Sequence, residues 1–128
     1  MKPNYLTILI TTLCIFFNAC HNSNTAPQLQ LADSLIDKRA DSALCILEKL
    51  SIEEISNKSA KAMYALLLTE ALDKNFKSHR NDSLILIAVD YYKDNSNNKL
   101  KTKAYYYLGR GYQDNKDYVK ATEAYLTA

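Results

Sequence analysis

Residues Ala104 to Ala128 read A-Y-Y-Y-L-G-R-G-Y-Q-D-N-K-D-Y-V-K-A-T-E-A-Y-L-T-A. Apolar residues recur there at helical spacing: Tyr105, Leu108 and Tyr112, then Tyr118, Ala121, Tyr125 and Ala128. The polar cluster Asn115–Asp117 separates the two sets. Two amphipathic helices joined by so short a turn form an antiparallel pair. One such pair cannot cover its own apolar face, so others must stack on it.

Working outward, the chain from Leu29 onward holds no proline and only two glycines. With abundant Ala, Leu and Lys, that composition predicts an all-α body. Polar clusters at Lys38–Asp41, Ser51–Ser59, Lys74–Asp82, Asp94–Asn98 and Asn115–Asp117 divide it into six helices, or three pairs. Asp41, Asp82 and Asp117 open the second helix of each pair. As N-caps they accept backbone N–H bonds and complement the helix dipole. The matched positions Ala43, Leu84 and Ala121 lie 41 and 37 residues apart. Ser51 to Glu54 fits a capping box and predicts a short extra turn. Residues 84–89, L-I-L-I-A-V, have strand-like β-branched content. A lone strand would have no partner, however, and Leu84, Ile87, Ala88 and Tyr91 share one helical face.

Residues 104–128 resemble the tetratricopeptide repeat, a helix–turn–helix unit with a period of about 34 residues. On that pattern Tyr105 takes the large first-helix position, Leu108 and Gly109 the Leu-Gly pair, and Tyr112 the following aromatic. Tyr118, Ala121, Tyr125 and Ala128 take the second-helix positions. Lys116 stands where glycine is common, which predicts a different turn. The middle pair matches more loosely through Tyr64, Leu67, Leu68 and Ala71, then Leu84, Ala88 and Tyr91. The resemblance implies a stacked α-solenoid of about three pairs over 29–51, 59–95 and 98–128. The last pair is incomplete, and further repeats are expected after Ala128. It also implies that first helices line a groove for an extended peptide or a partner helix. In the last repeat the groove-facing residues are then Lys103, Tyr106, Arg110, Gln113 and Asp114. Close helix packing accounts for Gly109, whereas nothing in the sequence accounts for Gly111.

The N-terminus has a different character. Tyr5–Phe17 is a short apolar stretch closed by Asn18, Ala19 and Cys20. Thirteen helical residues rise about 20 Å, too little for a hydrocarbon core of about 30 Å. A signal peptide over 1–19 therefore fits better than a permanent span. F-N-A-C resembles a bacterial lipobox, although Phe17 and Asn18 stand where that family usually has Leu and a small residue. The resemblance implies lipidation of Cys20, with 20–28 as a polar tether to the body at 29–128. No acidic residue follows Cys20 in the tether, so the default is an outer-membrane lipoprotein facing the periplasm. Ordinary secretion or an uncleaved leader is the alternative. Together with the middle helices, these features resemble the N-terminal part of bacterial tetratricopeptide lipoproteins. Longer relatives of that kind can continue into a membrane helix and a DNA-binding domain.

Net charge is +2 over 128 residues, which leaves no electrostatic footprint for nucleic acid. Lys99, Lys101 and Lys103 read as a solvated face. Of three cysteines, Cys14 and Cys20 belong to the leader, and Cys45 is expected as a small buried residue. His21 and His79 have no metal-ligand spacing around them, and no nucleophile–base arrangement is present. Neither a cofactor nor a metal is expected. Eight of ten tyrosines lie between Tyr91 and Tyr125. Tyr91, Tyr92, Tyr106 and Tyr107 exceed what one core needs, so some of them are candidates for facing a partner. The leading expectation is a non-enzymatic, membrane-anchored scaffold for protein or peptide binding in the bacterial envelope. The alternatives are an N-terminal fragment of an envelope regulator and a non-catalytic accessory to carbohydrate or cell-wall enzymes.

Overall fold

The computed structural model describes residues 25–78 and 82–128. Among them are six α-helices and no strand: α1 (Thr25–Leu35), α2 (Ala40–Leu47), α3 (Lys58–Lys74), α4 (Asp82–Tyr92), α5 (Asn98–Asp114) and α6 (Tyr118–Thr127). A 3-10 turn, Ile52–Glu54, precedes α3. The stretch expected to be a signal peptide, 1–19, and Cys20, His21 and His79 lie outside the described residues. Each helix packs on the next in sequence, and α1 also packs on α3 and α3 on α5. The first helices of the three pairs thus form a continuous layer.

The helix boundaries follow from local chemistry. Asn57 and Asn97, forty positions apart, cap two 17-residue helices by accepting from the N–H groups of Ala60 and Leu100. These caps satisfy amides left orphaned at the helix starts. Both helices close the same way. After α3 the Lys77 N–H donates to the Leu72 carbonyl and the Phe76 N–H to Asp73; after α5 Asp117 donates to Tyr112 and Lys116 to Gln113. This is the Schellman arrangement, which places one residue in the left-handed region. Phe76 and Lys116 occupy it at φ 56° and 62°. Lys116 therefore does not alter the turn; it adopts the conformation that glycine would.

Two apolar clusters fill the interior. Ile36, Leu44, Leu47, Tyr64 and Leu67 build one around α1 to α3. Leu66, Ile85, Val89, Tyr92, Tyr107 and Leu108 build the other around α3 to α6. Leu84 packs against both, so the clusters meet across α4. Gly109 lets α6 approach α5: a Cβ there would stand 2.4 Å from a Tyr125 ring carbon.

Several expectations are corrected. Residues 84–89 are helical, but the fully buried face is Ile85, Ala88, Val89 and Tyr92. It is rotated by one residue because α4 is wedged between α3 and α5 rather than against α3 alone. Cys45 is exposed, since the buried stripe of α2 is Ala43, Leu44 and Leu47. Tyr118 and Ala128 are exposed, and α6 buries only Ala121 and Ala124 fully. Helix α1 begins at Thr25, so four residues read as tether are helical. Asp117 caps α6, accepting from the Lys120 N–H. Asp41 instead lies in the first turn of α2, whose N-cap position holds Arg39 without a side-chain bond. Asp82 is the first residue of α4, and its side chain lies outside the described set. Ser51 forms no cap bond; its hydroxyl donates to Glu53 at the start of the 3-10 turn.

Candidate functional site

The layer of first helices carries the most concentrated charge chemistry among the described residues. Glu70 lies on the buried stripe of α3 beside Leu66 and Leu67, and its side chain is 2% exposed. Its Oε1 lies 3.0 Å from Lys74 Nζ, one turn onward, and its Oε2 lies 2.7 Å from Lys103 Nζ on α5. The Oε2 contact falls outside directed hydrogen-bond geometry, so it acts as an ion pair of close charges. Lys74 also reaches Asp37 at 2.5 Å, just beyond the end of α1. Buried Glu70, exposed Asp37 and two lysines therefore tie all three first helices together. A buried carboxylate is tolerable only when paired in this way.

A second pair lies farther along the layer. Arg110 Nε and Nη2 stand 3.0 and 2.9 Å from Asp73 Oδ1. Its Nη1 donates to Gln113 Oε1 at 3.3 Å, and the Tyr125 hydroxyl donates to the same oxygen at 2.9 Å. Arg110 is held charged, its guanidinium raised above the ordinary range chiefly by its hydrogen bond to Asp73. Tyr107 lies beside Glu70; burial, reinforced by the Glu70 and Asp73 charges, raises its hydroxyl far above the usual tyrosine value.

The five residues expected to face a groove are brought onto one side of α5, but they differ in availability. Lys103 and Arg110 turn toward α3 and are engaged by Glu70 and Asp73. Gln113 is exposed and serves as acceptor for Arg110 and Tyr125. Tyr106 is 45% exposed; it sits edge-on to Tyr107 at 5.1 Å and tilted against Tyr125 at 5.9 Å. Asp114 is exposed at the end of α5. Lys103 is thus not part of a solvated lysine face. Tyr92 and Tyr107 are core residues, whereas Tyr91 and Tyr106 face outward.

An open depression of about 360 Å³ lies where α3 and α5 end, lined by Asp73, Phe76, Lys77, Ser78, Arg110 and Asp114. Phe76 is 99% exposed at its rim, presented by the left-handed turn. Lys77 leans toward Glu48, 3.3 Å away. Cations, an uncovered aromatic ring and carboxylates are thereby gathered at one end of the layer. Neither Glu70 nor Phe76 was singled out from the sequence. The signal for Glu70 is an acid inside the run L-L-L-T-E-A-L, at helical spacing from buried leucines. Phe76 had a weaker one, an aromatic inside the polar break K-N-F-K-S.

Among the described residues no group of three or more His, Cys, Asp or Glu is placed to hold a metal ion, and no helix is long and apolar enough to cross a membrane. No protein-family model matches the chain, and no curated protein and no solved structure matches it.

Proposed function

We propose that this chain is a tetratricopeptide-like scaffold, held at the bacterial cell envelope by a lipid on Cys20, that receives an extended peptide along its first-helix layer. The depression between the ends of α3 and α5 is the observation that carries this reading, because it joins a free aromatic side chain to positioned cations. Aromatic and arginine side chains dominate binding energy at protein interfaces. The continuous packing of α1, α3 and α5 supports a solenoid, as do the matching caps and turns of the α3 and α5 pairs. The ion pairs through Glu70 and Asp73 would keep the layer in register, so that binding spends little on ordering it. Arg110 recognises peptide through its outer edge while Asp73 positions it. Tyr106 and Phe76 provide apolar contact at either side.

An immobilised library of random decapeptides, probed with the full chain, tests the groove. Binding should fall in the Tyr106→Ala/Arg110→Ala double variant and in Phe76→Ala, with helicity by circular dichroism unchanged. Equal capture by wild type and both variants discards this face. The anchor is tested by feeding labelled palmitate to bacteria expressing wild type or Cys20→Ser. Equal label in both removes the lipid from the proposal.

A further inference from the structure

A second depression lies away from the first-helix groove, between the start of α3 and the outer side of α4. Its volume is about 590 Å³, and Lys58, Lys61, Ser83, Leu86, Ile87, Asp90 and Tyr91 line it. That volume falls within the roughly 300–1,000 Å³ typical of small-molecule sites and is too small to seat a protein domain.

Its two walls differ in chemistry. On α4, Leu86 is 43% and Tyr91 36% exposed, and Ile87 is half-buried, so large apolar surface is left facing water. On α3, Lys58 and Lys61 stand one turn apart at the positive end of a 17-residue helix. Among the described residues no carboxylate lies within ion-pair distance of either lysine, and the longer-range charges of Asp90 on Lys58 and of Glu53 on Lys61 oppose them. Asp90 is the single acid in the lining, and Lys93 holds it at 2.5 Å. The hydrogen bond from that ammonium keeps the Asp90 carboxyl below its usual range, so its charge persists but is compensated chiefly by Lys93 and to a smaller degree by Lys58. The depression is therefore cationic along one wall and apolar along the other.

We infer that this depression binds a small amphipathic anion, a carboxylate carried on an aliphatic chain, as a free monomer. The carboxylate lies against Lys58 and Lys61, and the chain covers Leu86, Ile87 and the face of Tyr91. Two partly exposed ammonium groups contribute modestly each, so discrimination between head-group charges should be about tenfold. Asp90 opposes the ligand and limits its affinity.

Titration calorimetry of the full chain with decanoate, kept below micelle formation, tests this inference alongside the Leu86 and Ile87 methyl NMR signals. Decanoate should bind and shift both methyls, while decyltrimethylammonium should bind at least about tenfold more weakly. Lys58→Glu/Lys61→Glu should lose at least tenfold, Leu86→Lys should abolish binding, and Asp90→Asn should tighten it, all with unchanged circular dichroism. Lys99→Glu should bind as wild type. Equal affinity for the two detergent-like ions, or no effect of the lysine substitutions, overturns the site. So does binding confined to anionic vesicles or to acidic peptides. Since the peptide groove lies elsewhere, Phe76→Ala leaves this titration unchanged, and the two assignments fail independently.

Discussion

Phe76 and Lys116 offer a clean measurement of backbone strain, because both hold the left-handed conformation with exposed side chains. A non-glycine residue there costs roughly 1–2 kcal/mol. Glycine removes that cost but adds freedom to the unfolded chain, worth roughly 0.4–1 kcal/mol. Phe76→Gly and Lys116→Gly should each therefore stabilise the fold by about 0.5–1 kcal/mol. For a body of this size the melting temperature should rise by roughly 2–8 °C per site. Phe76 is 99% exposed, so no packing is lost on its removal. The control is Phe76→Ala, which keeps the strain and should leave stability within about 0.5 kcal/mol of wild type. Urea unfolding followed by circular dichroism measures all three variants. If Phe76→Gly is no more stable than Phe76→Ala, the Schellman turn is not strained and the reasoning fails. A gain in stability with weaker peptide capture would be the expected pattern for a residue kept for binding.

Gly109→Ala should destabilise by about 1–3 kcal/mol despite its better helix propensity, since the new methyl meets the Tyr125 ring. Combining it with Tyr125→Ala should recover part of that loss in the same unfolding assay. A double-mutant cycle between Glu70→Gln and Lys103→Met should give a coupling of about 1–2 kcal/mol, below the value for a fully buried pair because Lys103 is 25% exposed. The same cycle on the exposed Asp90 and Lys93 should show little coupling. Tyr107 has a folded value raised above its unfolded one, so its contribution is fully present below about pH 10 and is lost as pH climbs beyond that. Tyr107→Phe should flatten the alkaline fall in stability measured from pH 9 upward; an unchanged slope would remove Tyr107 from that role.

How much of this was legible beforehand differs by level. The all-α class and the six breaks depend on local signals: proline-free sequence, polar clusters and the spacing of apolar residues. Asn57 and Asn97 carry no distinct signal, because Asn caps look like ordinary break residues until the following helix is located. In the tyrosine-rich segment, Tyr105, Tyr106 and Tyr107 are chemically identical and adjacent. Spacing alone chose Tyr105 for the core, whereas packing buries Tyr107 most deeply. A helix touched by neighbours on two sides buries an arc wider than one stripe, and α4 shows the same effect.

The candidate site divides similarly. Lys103, Tyr106, Arg110, Gln113 and Asp114 share one side of α5, because helical periodicity is intrinsic to the chain. Which of them remain available was decided by α3, whose Glu70 and Asp73 arrive from more than thirty residues away. Ion pairs across so long a separation leave no local trace. By itself, the sequence determined helix type, approximate boundaries and the direction each α5 side chain leaves its helix, all of which follow from covalent geometry and short-range hydrogen bonding. Only the tertiary structure decided which charges are spent within the fold, that Cys45 faces solvent and that Phe76 stands uncovered. Those outcomes depend on what the rest of the chain brings against each residue.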